Sequence, residues 1–385
     1  MVTNTPTLLE QYRCTRTRTL RLCQSLETED YTVQIAPFAS PVKWHLAHSS
    51  WFFEEFILTK FPDYERFNPD YNFFFNSYYH SKGERIAQHS RGVSRPYLAD
   101  IFAYREYVDG NMTERIKDVA AQYADLLTLG IQHEEQHQEL ILMDIKYLLG
   151  TNPLRPAYPL RLWPQRDYSP QLKWLDVTRG VYPIGCAKDA EFGFDNEHPQ
   201  HERILPAAQV ASRNVLNGEY LEFVEGGGYN DSKYWTSDGW HWVQHERICH
   251  PLYWRIEHGR WYEYTFFGNQ PLRPERVVMH VSQHEAAAYA KWRGRRLPTE
   301  FELEVLHDEL DNGIVWDWTA SPYIAYPGYV EPADETGEYN AKFMVNQYVL
   351  RGGCVATPPG HARATYRNFY RPTDRWCFAG IRLAR

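Results

Sequence analysis

The segment opening at Gly150, "GTNPLRPAYPLRLWPQRDYSP", has a proline every few residues and no apolar periodicity. Proline removes a backbone donor and fixes φ, so neither a helix nor a central sheet strand runs through such a stretch. It therefore reads as a linker over about residues 150 to 172, dividing the chain into two blocks that must fold separately. A length of 385 residues agrees, since single cores stop growing below that size. The expected domains are residues 1–155 and 156–385.

The first block is helical in pattern. Apolar residues recur at helical spacing from Leu8 to Leu26. In "SPVKWHLAHSSWFFEEFILTKF", Ser40 stands where an N-cap belongs and Pro41 at the first helical position. A third helix is predicted within "SRPYLADIFAYREYVDGNMTERIKDVAA", broken near Gly110, and a fourth runs from "YADLLTLG" to a stop at Gly150. Four amphipathic helices make a four-helix bundle the expected architecture. Past the linker the pattern changes to short strands, glycine turns and many Trp and Tyr, with a helix near "SQHEAAAYAKW". That block is expected to be an irregular α+β domain.

Charge and cysteine usage narrow the function class. The net charge is −8 with no basic stripe, which argues against a nucleic-acid partner. No run is long and apolar enough to suggest a membrane span, and the N-terminal residues lack a signal-peptide core. The six cysteines are scattered without a CxxC pair, so a reduced, cytoplasmic protein is expected.

The chemistry-bearing stretch is "LGIQHEEQHQELILM". Residues four apart share a helix face, so His133 and His137 can reach one metal ion. The spacing is that of the zinc proteases, with Glu134 as the base; a different metal centre or a merely polar helix would show the same pattern. The protease reading needs a downstream third ligand, yet after Glu139 the next glutamate is Glu191, beyond the linker. The second bundle helix offers "KWHLAH": His48 falls on the side of Trp44, Trp51 and Phe52, whereas His45 points elsewhere by helical periodicity.

Several stretches together resemble one family. "SPVKWHLAHSSWFFE", "FNSYY", "SRGVSRP" and "HEEQHQE" are similar to the DinB-like helical domain of the EgtB-type ergothioneine sulfoxide synthases. "GVYPIGCAKDAEFGFDNEHPQHE", "RRLPTEFELE", "VLRGG" and "YRNFYRPTDRWCFAGIRLA" resemble their C-terminal domain, shared with formylglycine-generating enzymes. The resemblance spans nearly the whole chain with its motifs in order.

The resemblance implies a non-haem iron(II) enzyme that uses O2. Such an enzyme couples the sulfur of cysteine or γ-glutamylcysteine to C2 of the imidazole of Nα-trimethylhistidine. Carried over position by position, it makes His48, His133 and His137 the Fe(II) ligands and Glu139 a partner orienting a ligand imidazole. Gln136 and Asn368 would contact the substrate imidazole, with Phe369 and Tyr370 beside Asn368. The pair Tyr78 and Tyr79 would supply a proton or hydrogen atom, with Tyr339 and Tyr370 as further candidates. Arg91 and Arg95 would bind the thiol substrate's carboxylate. Gln88 stands where another arginine would align, which leaves room for a different donor, such as the selenosugar of selenoneine synthases.

Two readings from other classes compete. A formylglycine-generating oxidase needs a close cysteine pair, and Cys354 and Cys377 lie in separate motifs. A non-catalytic metal- and ligand-binding module would tolerate loss of a histidine, and none is lost from "HLAH" or "HEEQH".

Overall fold

The structure, a computed structural model, describes residues 6–158, 160, 171–333 and 340–385. The chain divides into two compact units, Met1–Leu160 and Arg161–Arg385, so the division falls in the proline-rich segment.

The first unit is built on α1 (Leu8–Cys23), α2 (Val42–Phe56), a short α3 (Tyr71–Phe75), α4 (Leu98–Glu114), α5 (Ile116–Gln122) and α6 (Ala124–Thr151). The four long helices α1, α2, α4 and α6 form the bundle, with α1 against α6 and α2 against both α4 and α6. α1 begins in a capping box, in which Thr7 and Glu10 satisfy each other's backbone donors. Every residue of α2 is buried, so this helix is the centre of the unit and presents no solvent face.

Three details differ from the sequence expectation. Ser40 does not cap α2, which starts from Pro41 with no side-chain cap; instead the Ser40 hydroxyl accepts from Arg91 Nη1 at 2.9 Å and its N–H donates to Asp144 Oδ2 at 2.8 Å. The interruption expected near Gly110 falls at Arg115, because the buried residues Val108 and Met112 hold the exposed glycine's turn in register. α6 passes through Gly150 and ends at Thr151.

One glycine controls how closely α2 and α6 approach. A Cβ at Gly130 would lie 2.5 Å from Cε1 of Phe53, inside van der Waals contact. The absent side chain lets the two helices meet one turn before His133.

Polar residues stitch the bundle as well. Glu134, fully buried on α6, accepts from Arg16 Nη1 at 2.9 Å, Arg105 Nη2 at 3.1 Å and Thr19 Oγ1 at 2.7 Å. Arg16 also reaches Asp109 and Ser50, and Arg105 reaches the Leu46 carbonyl and Ser49. One carboxylate thus ties α6 to α1 and α4, whose arginines in turn hold α2.

The second unit is α+β, as its composition predicts. It contains β1 (Trp174–Val177), β2 (Gly180–Ile184), β3 (His201–Leu205), β4 (Ala208–Ala211), α7 (Asn217–Glu225), α8 (Ser237–Glu246), β5 (Trp254–Glu257), β6 (Arg260–Thr265) and β7 (Gly268–Pro271). It continues with α9 (Gln283–Trp292), α10 (Glu300–Val305), β8 (Trp316–Pro322), β9 (Tyr348–Arg351), β10 (Asn368–Tyr370) and β11 (Ala379–Gly380). The largest sheet has the order β10-β9-β8-β11, with β8 and β11 parallel; β1/β4, β2/β3 and β5/β6/β7 are separate antiparallel groups. α9 is the helix expected in "SQHEAAAYAKW", opened by a Ser282–Glu285 capping box. At the buried Glu300, Arg367 donates at 2.8 and 3.1 Å and Arg351 at 3.1 Å, which joins α10 to the sheet. No described helix is long and apolar enough to cross a membrane.

Candidate metal centre

His48 of α2 and His133 and His137 of α6 are buried and converge, each offering a ring nitrogen within 4.8 Å of the others. His48 Nε2 and His133 Nε2 stand 3.1 Å apart. Two imidazole nitrogens about 2.1 Å from one ion and at right angles would be about 3.0 Å apart, against about 3.4 Å at the tetrahedral angle. The spacing of this pair is compatible with two ligands of one ion.

The donor set is chemically suited to a cation. Burial pushes the pKa of His133 down to about 3, with His45 adding to the shift and Glu134 opposing it. Burial also holds His48 and His137 well below the usual histidine range, and the neighbouring imidazoles push the same way. All three are neutral at physiological pH and keep lone pairs for a metal. The His48 tautomer is fixed by its surroundings: Nδ1 lies 2.6 Å from the Phe75 carbonyl, which can only accept, so Nε2 is bare. Its ring is stacked between Trp44 at 4.5 Å and Trp51 at 5.5 Å, and Phe52 stacks on His133 at 4.4 Å.

His45 does not point away from this centre. Its Nδ1 lies 2.8 Å from His137 Nδ1, and its Nε2 lies 3.0 Å from Asp144 Oδ2. Periodicity misplaced His45 because a helix buried all round has no single inward face. A signal was available for Asp144, which follows His137 by seven residues, two helical turns, and so shares its face. Glu139, buried as well, stands about 200° around α6 from His137, whose Nδ1 lies against His45 Nδ1.

The protease base is excluded by its partners. Burial alone would raise the pKa of Glu134, but Arg16 and Arg105 outweigh it and hold the carboxylate down at about 2. A carboxylate enclosed by two guanidinium groups and a hydroxyl cannot take a proton from water at neutral pH.

Arg91 and Arg95 occupy different environments. Arg91 is 8% exposed, with its guanidinium 3.5 Å over the Trp44 ring and one hydrogen bond to Ser40; no carboxylate among the described residues forms an ion pair with it. Burial pushes its pKa down to about 9, against the opposing charge of Asp144. A buried cation satisfied by one hydroxyl and an aromatic face retains donors with which it could bind an anion. Arg95 is exposed and lies over Tyr97 at 3.5 Å. Gln88 is also exposed, and its amide donates to the Phe38 carbonyl at 3.2 Å.

The tyrosine pair is asymmetric. Tyr79 is fully buried, packed on Phe56 at 5.0 Å and Trp51 at 5.7 Å, and its N–H and carbonyl are both held by Asn76. Tyr78 stacks on it at 4.7 Å, is half-buried, and lies within electrostatic reach of Arg91. Gln136 is half-buried on α6, between the two ligand-bearing turns.

In the second unit, Asn368, Phe369 and Tyr370 form β10, paired with β9 in the register Asn368↔Leu350 and Tyr370↔Tyr348. Alternate residues of a strand face opposite ways, so Asn368 and Tyr370 share one face and Phe369 takes the other. Phe369 is stacked on Tyr323 at 4.2 Å, and Tyr370 meets Trp376 edge-on at 5.4 Å. Tyr339 lies outside the described residues. Cys354 and Cys377 are both buried, so neither is an exposed thiol.

Comparison with known proteins bears on both units. Residues 170–307 match the sulfatase-modifying factor enzyme 1-like domain. Hercynine oxygenase of Mycobacterium tuberculosis is 30% identical over 97% of this chain and 98% of its own length. That of Mycolicibacterium smegmatis is 28% identical over 98% of each. Ergothioneine biosynthesis protein 1 of Schizosaccharomyces pombe is 26% identical over 50% of this chain and 28% of its own length.

Proposed function

The chain belongs to the hercynine oxygenase family of oxygen-dependent oxidoreductases, and on that premise we propose that it is a non-haem iron(II) sulfoxide synthase of ergothioneine biosynthesis. The reaction would join the sulfur of cysteine or γ-glutamylcysteine to C2 of the imidazole of Nα-trimethylhistidine (hercynine), with O2 as oxidant. The observation that carries this reading is the convergence of three buried, neutral imidazoles from two packed helices, beside an arginine that pairs with no carboxylate among the described residues.

His48, His133 and His137 would hold the ion from one side. When bound, iron(II) would supply Lewis acidity toward the thiol and electrons toward dioxygen. Arg91 would take the carboxylate of the thiol substrate in a charge-assisted pair, and the anion would relieve the cost of burying the guanidinium. Gln136 would hydrogen-bond the imidazole of Nα-trimethylhistidine. Of the tyrosine pair, Tyr78 is the better proton donor, since its half-exposed ring has access that the enclosed Tyr79 ring lacks. Trp44, Trp51 and Phe52 would exclude water from the ligand imidazoles.

The test is to load the protein with iron(II) anaerobically, then admit O2 with Nα-trimethylhistidine and one donor at a time. Cysteine, γ-glutamylcysteine and a selenosugar are the donors, and the readouts are oxygen uptake and product mass. A coupled sulfoxide from either thiol supports the reading. Coupling with the selenosugar alone would reassign the enzyme to carbon–selenium chemistry. No coupling from iron-loaded protein with any donor would remove both.

A further inference from the structure

We propose that His45 and Asp144 form a relay that fixes the tautomer of His137 and holds its Nε2 bare toward the centre, making both positioning residues. The proposal rests on reading the three histidines as a metal site, but its first measurement does not need the metal.

Each step of the relay constrains the next. The Asp144 carboxylate can only accept, and its Oδ2 takes the Ser40 N–H at 2.8 Å and His45 Nε2 at 3.0 Å. A singly protonated His45 ring then carries its proton on Nε2 and presents Nδ1 as an acceptor. His137 Nδ1, 2.8 Å away, has to supply the proton for that contact. With Nδ1 protonated, neutral His137 has its lone pair on Nε2 and no alternative tautomer compatible with its neighbours. His45 is 3% exposed and Asp144 6%, so bulk water does not compete for these bonds.

The arrangement also fixes orientation. His137 and Asp144 lie two turns apart on α6, and His45 bridges them from α2. Ring rotation of His137 would break a buried hydrogen bond and strand a polar atom on each side, a cost of about 1–3 kcal/mol per group. His48 obtains the same result from a single backbone carbonyl, that of Phe75, supplied by α3. Two ligands of the triad thus have their bare nitrogen assigned by the protein before any ion arrives. Partners of this kind are typically worth about 10- to 100-fold in metal affinity.

The measurement is the two-bond proton–nitrogen correlation of histidine side chains in the metal-free, full-length protein with 15N-labelled histidine. His137 is expected to show a protonated Nδ1 and a bare Nε2; a protonated Nε2 in the wild-type protein would overturn the relay. The second measurement is anaerobic iron(II) affinity by competition with a chromophoric chelator. His45→Phe and Asp144→Asn should each weaken binding about 10- to 100-fold, and His45→Gln, whose amide oxygen can still accept from His137, should recover most of it. A folded His45→Phe protein with unchanged tautomer and affinity sinks the proposal. If that variant does not fold, the wild-type tautomer and the Asp144→Asn affinity decide it. Wild-type protein with the stated tautomer but no iron binding would support the relay and remove the functional reading.

Discussion

Glu134 and Arg16 form a buried ion pair at 2.9 Å, with Arg105 closing the other carboxylate oxygen at 3.1 Å. The residue that a zinc protease would use on water is here committed to holding three helices together. Glu134→Gln should leave the buried Arg105 guanidinium without its counter-charge and Arg16 with Asp109 alone, and lower stability by about 3–5 kcal/mol. Urea unfolding followed by circular dichroism measures this; a midpoint equal to wild type would refute the structural role.

His137→Ala should abolish iron binding and turnover while leaving the helical content intact. Metal analysis of anaerobically loaded protein provides the check. Retained turnover with normal iron content would remove His137 from the ligand set.

The Arg91 pKa supplies a sign-determined prediction. Its folded value, about 9, lies below the usual arginine range because burial disfavours the charged form. The charge therefore costs stability at every pH below about 9, and an anion bound beside it relieves that cost. Arg91→Met should raise the melting temperature of the ligand-free protein and abolish the stabilisation produced by the thiol substrate. It should also raise the donor KM more than about tenfold, as loss of a charge-assisted pair does, with the KM for Nα-trimethylhistidine little changed. Donor-induced stabilisation that survives in Arg91→Met would move the anion site elsewhere.

Tyr78→Phe should slow sulfoxide formation or divert it toward thiol dioxygenation, whereas Tyr79→Phe should mainly perturb packing. Product ratios from the two variants separate these outcomes. Equal ratios would relocate the donor away from this pair.

Two glycines in the bundle should respond in opposite directions. Gly110 is exposed in mid-helix, and nothing lies within 4 Å of where an alanine methyl group would sit, so Gly110→Ala should stabilise by about 0.5–1 kcal/mol. Gly130→Ala drives a methyl group into the Phe53 ring and should destabilise by about 1–3 kcal/mol. Thermal melts of both variants, with iron affinity measured for the second, provide the check.

The bundle is legible in the sequence because Leu8, Ser40 and Gly150 mark near-correct helix limits and the proline-rich segment marks the division. His133 and His137 pair by spacing alone, and periodicity sets His48 on the side of Trp44, Trp51 and Phe52, but it misses that His45 also meets His137. The His45–Asp144 contact is hidden because it joins residues far apart in the chain, on a helix whose burial erases facial periodicity. Asn368 and Tyr370 are readable as neighbours in sequence, but only strand pairing shows that Phe369 between them faces the other way. Ser40 misleads for a local reason: a residue with every mark of a cap is recruited by Arg91 and Asp144 instead.

That recruitment has a thermodynamic consequence. Ser40 touches the carboxylate that aligns His137 through its amide and the guanidinium of Arg91 through its hydroxyl. A ligand that draws Arg91 toward itself pulls on the same residue that helps hold Asp144 in place. If Arg91 takes the donor and the three histidines the ion, as proposed, the two occupancies would be linked functions, and linkage is reciprocal: whatever the donor did to metal retention, the metal would do in equal measure to donor binding.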